Sequence, residues 1–266
     1  MYRLVALDVD GTLLDPSHAL TTRTQSAILS AQRGGITVCL ATGKLLVSVM
    51  PLLRELRLGG LHVTCNGAAV MDSATGTSVA SWPLNPYQIE ISLAAVRALA
   101  PEMPIAWYTT DTIYSDAPVG LLDTTLKAYQ EPPVRHVERL DGSLPPPLKF
   151  LMTGNHARLL ELRDGLLDHI GPEVTVTRTT DEFVEIMAPG VNKGVALLEV
   201  AKTLGIARDA IVAMGDGEND IPLLEAAGLG IAMGNAMPAL RERATQFTRS
   251  NADDGVAYAL ERLGLI

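Results

Sequence analysis

The chain has 266 residues, room for one large domain or two modest ones; its 47% apolar and 19% charged residues can fill a sizeable core and exclude wholesale disorder. A formal net charge of -9, with no basic block to offset it, argues against nonspecific binding to nucleic acid, whose phosphates would repel it. No apolar run approaches the roughly 18 residues of a membrane span, and the segment after Met1 meets Asp8 too early for a signal peptide's apolar region. The expectation by elimination is a soluble cytoplasmic protein. Cys39 and Cys65 each lie in an apolar run without CxxC spacing, and read as buried free thiols of a reducing compartment.

RLVAL at 3–7 predicts a strand. TTRTQSAILSAQRGG at 21–35 predicts a helix with Thr21 as its cap and glycine at its end. ITVCLATG at 36–43 reads as the next strand. KLLVSVMPLLRELRLGG at 44–60 has a helical period, with a kink expected at Pro51. LHVTCNG at 61–67 reads as a third strand. Strands alternating with helices predict parallel βαβ units.

The rhythm changes between 83 and 187. A helix near 87–99 is followed by short strands IAWYTT and TIYS, a helix near 119–129 and a strand near 134–138. After a turn-rich link at 141–150, Lys149 starts another strand. A helix near 156–170 and strands EVTVTRT and EFVEIMA complete what reads as an α+β module with an antiparallel sheet. After 188 the first rhythm resumes: a helix over 192–206, a strand, polar turn and helix over 210–228, and a strand and turn over 229–236. A short strand near QFTRS and a helix over 255–263 end the chain. No repeat period appears. The predicted fold is α/β: a doubly wound, Rossmann-like parallel-sheet core from 1–82 and 188–266, with an α+β module inserted at 83–187. Pro83, Pro86 and Pro189 mark the junctions, where hinges near 82–85 and 187–190 are expected.

Polar clusters follow the carboxyl ends of several core strands: Asp8 and Asp10, Thr42 and Gly43, Asn66 and Gly67, then Asp216, Asn219 and Asp220. In open parallel sheets those ends form the ligand crevice. Paired carboxylates repel each other unless a cation lies between them, and a hard ion such as Mg²⁺ takes oxygen ligands. Asp8, Asp10 and Asp216 are therefore the candidate metal residues, and such a metal would draw in a phosphate oxygen. Gly11 and Thr12 suit a tight turn whose N–H groups face an anion. Taken alone, DxDG also describes a solvated turn between a strand and a helix. Thr42 offers a hydroxyl and Gly43 an open N–H just before a helix, which favours anions, although a plain strand-to-helix turn has the same form. Lys193 stands at a helix start, against the macrodipole; the alternatives are a phosphate or pairing role and simple solvation. Asp220 or Glu218 would also serve as helix-capping partners. The histidines (His18, His62, His136, His156, His169) have no ligand spacing and read as surface or satisfied core residues.

Together, DVDGT at 8–12, ATGK at 41–44, Lys193 and GDGEND at 215–220 resemble the four ordered motifs of the haloacid dehalogenase superfamily. The long insert resembles the large α/β cap of its Cof-like phosphatases. The resemblance implies Mg²⁺-dependent hydrolysis of small phosphomonoesters, sugar phosphates or phosphorylated cofactors, through an aspartyl phosphate. It implies Asp8 as nucleophile and Asp10 as acid and base. Mg²⁺ would be held by the Asp8 side chain, the Asp10 carbonyl and Asp216. Thr42, Gly43, Lys193 and Asn219 would hold phosphate, Asp220 would orient Lys193, and Asn66 and Lys44 would support the site. Lys44 stands where these phosphatases commonly carry arginine, and a point charge cannot form the planar fork. A phosphomutase or phosphotransferase on the same core is the alternative, and a noncatalytic phosphometabolite-binding regulator a more distant one. The expected partner is a small phosphorylated metabolite, with no nucleic acid and no membrane; oligomeric state is open.

Overall fold

The computed structural model describes residues 1–118 and 120–266. In chain order, β1 (Leu4–Leu7), α1 (Thr22–Arg33), β2 (Thr37–Leu40), α2 (Leu46–Glu55), β3 (Leu61–Thr64), β4 (Ala69–Asp72) and β5 (Thr77–Ser81) come first. They are followed by α3 (Pro86–Leu99), β6 (Ile105–Tyr108), β7 (Ile113–Ser115), α4 (Asp123–Ala128), β8 (Val134–His136), β9 (Lys149–Thr153), α5 (His156–Ile170), β10 (Thr175–Thr180) and β11 (Phe183–Met187). The rest is α6 (Lys193–Thr203), β12 (Ile211–Gly215), α7 (Ile221–Ala226), β13 (Leu229–Ala232), α8 (Pro238–Arg243), β14 (Gln246–Phe247) and α9 (Gly255–Arg262). The chain divides into two compact units, one of 1–43, 50–80 and 192–266, the other of 44–49 and 81–191. Residues 44–49, assigned to the core from sequence, group with the second unit.

The first unit holds a parallel sheet in the order β14-β13-β12-β1-β2. Leu4, Val5, Ala6 and Leu7 of β1 are all buried, as an interior strand of a sheet covered on both faces requires. The chain leaves β1 toward β2 on one side and returns to β12 on the other. The reversal opens a crevice beyond the carboxyl ends of β1 and β12.

The third expected strand behaves differently from the sequence reading. It ends at Thr64 rather than 67 and pairs antiparallel with β4, within a separate sheet ordered β3-β4-β5. Cys65 and Asn66 adopt left-handed φ of 49° and 54°, which turns the chain back on itself. An isolated parallel bridge, Ala41 to Val63, rather than a ladder, pairs this sheet with the end of β2. The β4–β5 pair has no counterpart in the sequence reading, nor does α8, which starts at Pro238, where the ring's fixed φ suits a first helical turn. α2 runs through Pro51 and stops at Glu55, short of the expected 60.

The second unit is a six-stranded sheet, β10-β11-β9-β6-β7-β8, antiparallel except for the β7–β8 pair. One face carries Trp107, Phe150, Met152, Val184 and Ile186 against Ile89 and Val96 of α3 and Leu159, Leu162 and Leu166 of α5. The helix expected at 119–129 begins, among the described residues, at Asp123; residue 119 lies outside them.

Candidate active site

β1 delivers Asp8 in extended conformation, its N–H donating to the Met214 carbonyl as the last link to β12. The chain then turns through Val9–Leu13. Gly11 has φ +83°, and a Cβ there would lie 2.3 Å from Asp216 Oδ2, so both backbone and space require glycine. The Thr12 hydroxyl donates to Asp216 Oδ1 at 2.8 Å, tying the first loop to the loop after β12.

Lys193 opens α6 just after Asn192, whose side chain caps the helix by accepting from the Val195 N–H. Its buried Nζ lies 2.6 Å from Asp8 Oδ1 and 2.6 Å from Asp220 Oδ1. Two carboxylates thus offset both the helix dipole and the desolvation of the ammonium. The second oxygen of Asp220 accepts from the N–H groups of Asp216 and Gly217, at 2.9 Å each. Asp220 therefore folds the GDG turn and orients Lys193 at the same time.

Asp8, Asp216 and Asp220 bring carboxylate oxygens within 4.8 Å of one another. Burial, then the Asp220 charge, pushes the Asp8 carboxyl well above the usual range, with Lys193 pulling the other way. Burial and Asp220 likewise raise Asp216 to about 7. Burial pulls the Lys193 ammonium down, but Asp220 and Asp8 outweigh it and its pKa lies above the ordinary lysine value. Three carboxylates around one ammonium are short of positive charge. A divalent cation on these hard oxygens would supply it. Asp220 is committed to Lys193 and to the backbone of the GDG turn, so Asp8 and Asp216 are the side chains that would hold the ion. The Asp10 side chain lies outside this cluster, 25% exposed, with His18 Nδ1 3.4 Å from its Oδ1.

The loops after β2 and β3 are stitched together. The Thr42 N–H donates to the Val63 carbonyl, and the Asn66 N–H to the Thr42 carbonyl. A Cβ on Gly43 would meet Asn66 Nδ2 at 2.9 Å, and Asn66 Oδ1 accepts from Asn219 Nδ2 at 3.0 Å. Asn66 therefore brackets Gly43 on one side and Asn219 on the other. Lys44 is buried and groups with the second unit.

Two participants escape sequence reasoning. Asn235, in the turn after β13, donates from Nδ2 to the Gly11 carbonyl at 2.8 Å and lies 3.5 Å from Asp216 Oδ2. Its Oδ1 accepts from the Asn251 N–H, and Asn251 Nδ2 reaches the Leu14 carbonyl. Its place beyond the carboxyl end of a core strand was the available signal. His18, read as a surface or satisfied core residue, has no such signal, because only the fold of its loop brings it to Asp10.

A family model described as haloacid dehalogenase-like hydrolase matches residues 5–260. The chain is 28% identical to the 5-amino-6-(5-phospho-D-ribitylamino)uracil phosphatase YcsE of Bacillus subtilis, over 97% of this chain and 94% of that protein. It is 31% identical to the HMP-PP phosphatase of Cronobacter sakazakii, over 90% and 87%. The crystal structure of a haloacid dehalogenase-like hydrolase from Bacteroides thetaiotaomicron covers 99% of the chain and all of its own, with a TM-score of 0.85 at 26% identity. With the aspartate and lysine motifs gathered at the ends of β1, β12 and the start of α6, and the match running nearly end to end, the chain belongs to the haloacid dehalogenase-like hydrolase family.

Proposed function

We propose that this chain is a Mg²⁺-dependent phosphatase that hydrolyses small phosphomonoesters through an aspartyl phosphate on Asp8. The observation that carries the reading is the buried Asp8–Lys193–Asp220 chain beside Asp216, at the switch point of the parallel sheet. The phosphatase names of the two relatives support a small phosphorylated metabolite as substrate, such as a sugar phosphate or a phosphorylated cofactor.

Lys193 engages Asp8 Oδ1, which leaves Oδ2 to attack phosphorus. The P–O bond to the leaving group breaks, its electrons go to that oxygen, and Asp10 supplies the proton. Water then attacks the aspartyl phosphate while Asp10 takes the proton back. Lys193, the Thr42 hydroxyl, the Gly43 N–H and the Asn219 amide would face phosphate oxygens, where charge builds in the transition state. Mg²⁺, held by Asp8, the Asp10 carbonyl and Asp216, would neutralise phosphate charge when bound. In this reading 83–187 acts as the cap that shields the reaction from water, and Asn66 and Lys44 support the phosphate side.

The test is release of inorganic phosphate from an aryl phosphate, with Mg²⁺ or with EDTA, for wild type and Asp8→Asn. Turnover that needs metal and vanishes in Asp8→Asn is the expected result. Metal-independent turnover, or turnover surviving in Asp8→Asn, would overturn the reading.

A further inference from the structure

The segment from Asp15 to Ala19 is built around one carboxylate. Asp15 Oδ1 accepts from the Ser17 N–H at 2.8 Å, the Ser17 hydroxyl at 2.6 Å and the Ala19 N–H at 3.0 Å. The Asp15 N–H donates to the Ala19 carbonyl, and the His18 N–H returns to the Asp15 carbonyl. These bonds, the Ser17 hydroxyl foremost, hold the Asp15 carboxyl below its usual range, so the hub stays ionised.

The bonds close a tight loop and place His18 at φ +59°, in the left-handed region. Residues other than glycine pay roughly 1–2 kcal/mol for that conformation, histidine, asparagine and aspartate adopting it more often than the rest. The surrounding hydrogen bonds impose it, and backbone strain of this kind is a pointer to function rather than to packing. Packing does not account for His18, whose side chain is 51% exposed. What the conformation achieves is direction: the imidazole faces Asp10, with Nδ1 3.4 Å from Oδ1. Hydrogen bonds of catalytic groups are commonly long before substrate binds.

We propose that His18 is a positioning residue for Asp10, its Nδ1–H engaging Asp10 Oδ1 so that Oδ2 is the oxygen that hands the proton to the leaving group. This inference rests on the acid role of Asp10 in the proposed phosphatase reaction. Asp10 follows β1 by only three residues, on a turn with a glycine next to it, and its carboxyl is a quarter exposed. A donor that occupies one oxygen leaves the other as the single proton-carrying atom. Positioning of this kind speeds a step by removing rotational freedom, without any new chemistry.

The prediction separates esters by leaving group. An alkoxide leaves poorly and needs the proton as the P–O bond breaks; p-nitrophenolate leaves well without it. kcat/KM reports the steps through the first irreversible transfer, so it isolates the acid role of Asp10 from its later role as base. We expect His18→Ala to lower kcat/KM on a simple alkyl phosphate about ten-fold more than on p-nitrophenyl phosphate. His18→Asn keeps an amide donor close to the position of Nδ1, tolerates the left-handed backbone, and should restore most of the ratio. Equal losses on the two esters, no loss on either, or an Asn variant as impaired as the Ala variant would each overturn the proposal. Asp8→Asn, assayed beside them, tests the phosphatase reading by itself. Turnover surviving there would remove that reading and the proposal with it. Turnover abolished there, with equal losses for His18→Ala, would remove the proposal alone.

Discussion

His62 on β3 gives a quantitative test of how the loops after β2 and β3 are held. Its side chain is fully buried, Nδ1 accepts from the Leu40 N–H at 3.1 Å, and Nε2 has no hydrogen-bond partner among the described residues. β2 and β3 are paired through the isolated Ala41–Val63 bridge rather than a ladder, so the imidazole supplies to Leu40 an acceptor that a neighbouring strand would otherwise provide. Protonation would set a donor against the Leu40 N–H and bury a charge. Burial accordingly pushes His62 down to about 4, with Asp72 pulling weakly upward. The unfolded chain takes its proton near 6.5. Between these values the unfolded state binds more protons, so stability rises with pH. The contribution is complete above the unfolded value and is lost as pH falls toward the folded one, about 3 kcal/mol in all at about 1.4 kcal/mol per tenfold. By about pH 5, ~2 kcal/mol of it is gone. Urea unfolding followed by far-ultraviolet circular dichroism, at about pH 7.5 and about pH 5, measures this for wild type and His62→Asn. Asn keeps an acceptor near Nδ1 and does not titrate. Wild type should lose ~2 kcal/mol more than the variant on acidification; equal losses would refute the reasoning.

Replacing Lys193 with methionine leaves Asp8 and Asp220 buried without their cation. Breaking a buried pair costs about 3–5 kcal/mol, readable as a lower urea midpoint, and phosphate release should fall to the level of Asp8→Asn. A variant that is inactive yet as stable as wild type would show that the lysine serves catalysis alone. Asn235→Ala should free the Gly11 carbonyl and loosen Asp216, weakening Mn²⁺ binding, followed by titration calorimetry, about ten-fold. Unchanged Mn²⁺ affinity would mean that Thr12 by itself sets the Asp216 carboxylate.

Much of the fold was legible because its signals are local. Buried β-branched runs alternate with amphipathic helices, Thr21 accepts from the Thr24 N–H where a cap was expected, and Lys149 begins β9. The acidic motifs stand out in the chain because each follows a core strand directly. What escaped depends on contacts between distant segments. The antiparallel turn of β3 into β4 rests on left-handed Cys65 and Asn66; asparagine favours that region, but cysteine gives no such signal and neither residue says which strand pairs next. Asn235 meets Gly11 across 224 positions. By itself, the sequence determined the order of most strands and helices and the residue types at each strand end, since periodicity and turn chemistry are read within a few residues. The tertiary structure decided which oxygens are occupied, which carboxyls are raised and which histidine faces Asp10, because burial and electrostatics depend on groups that only the folded chain brings within a few ångströms.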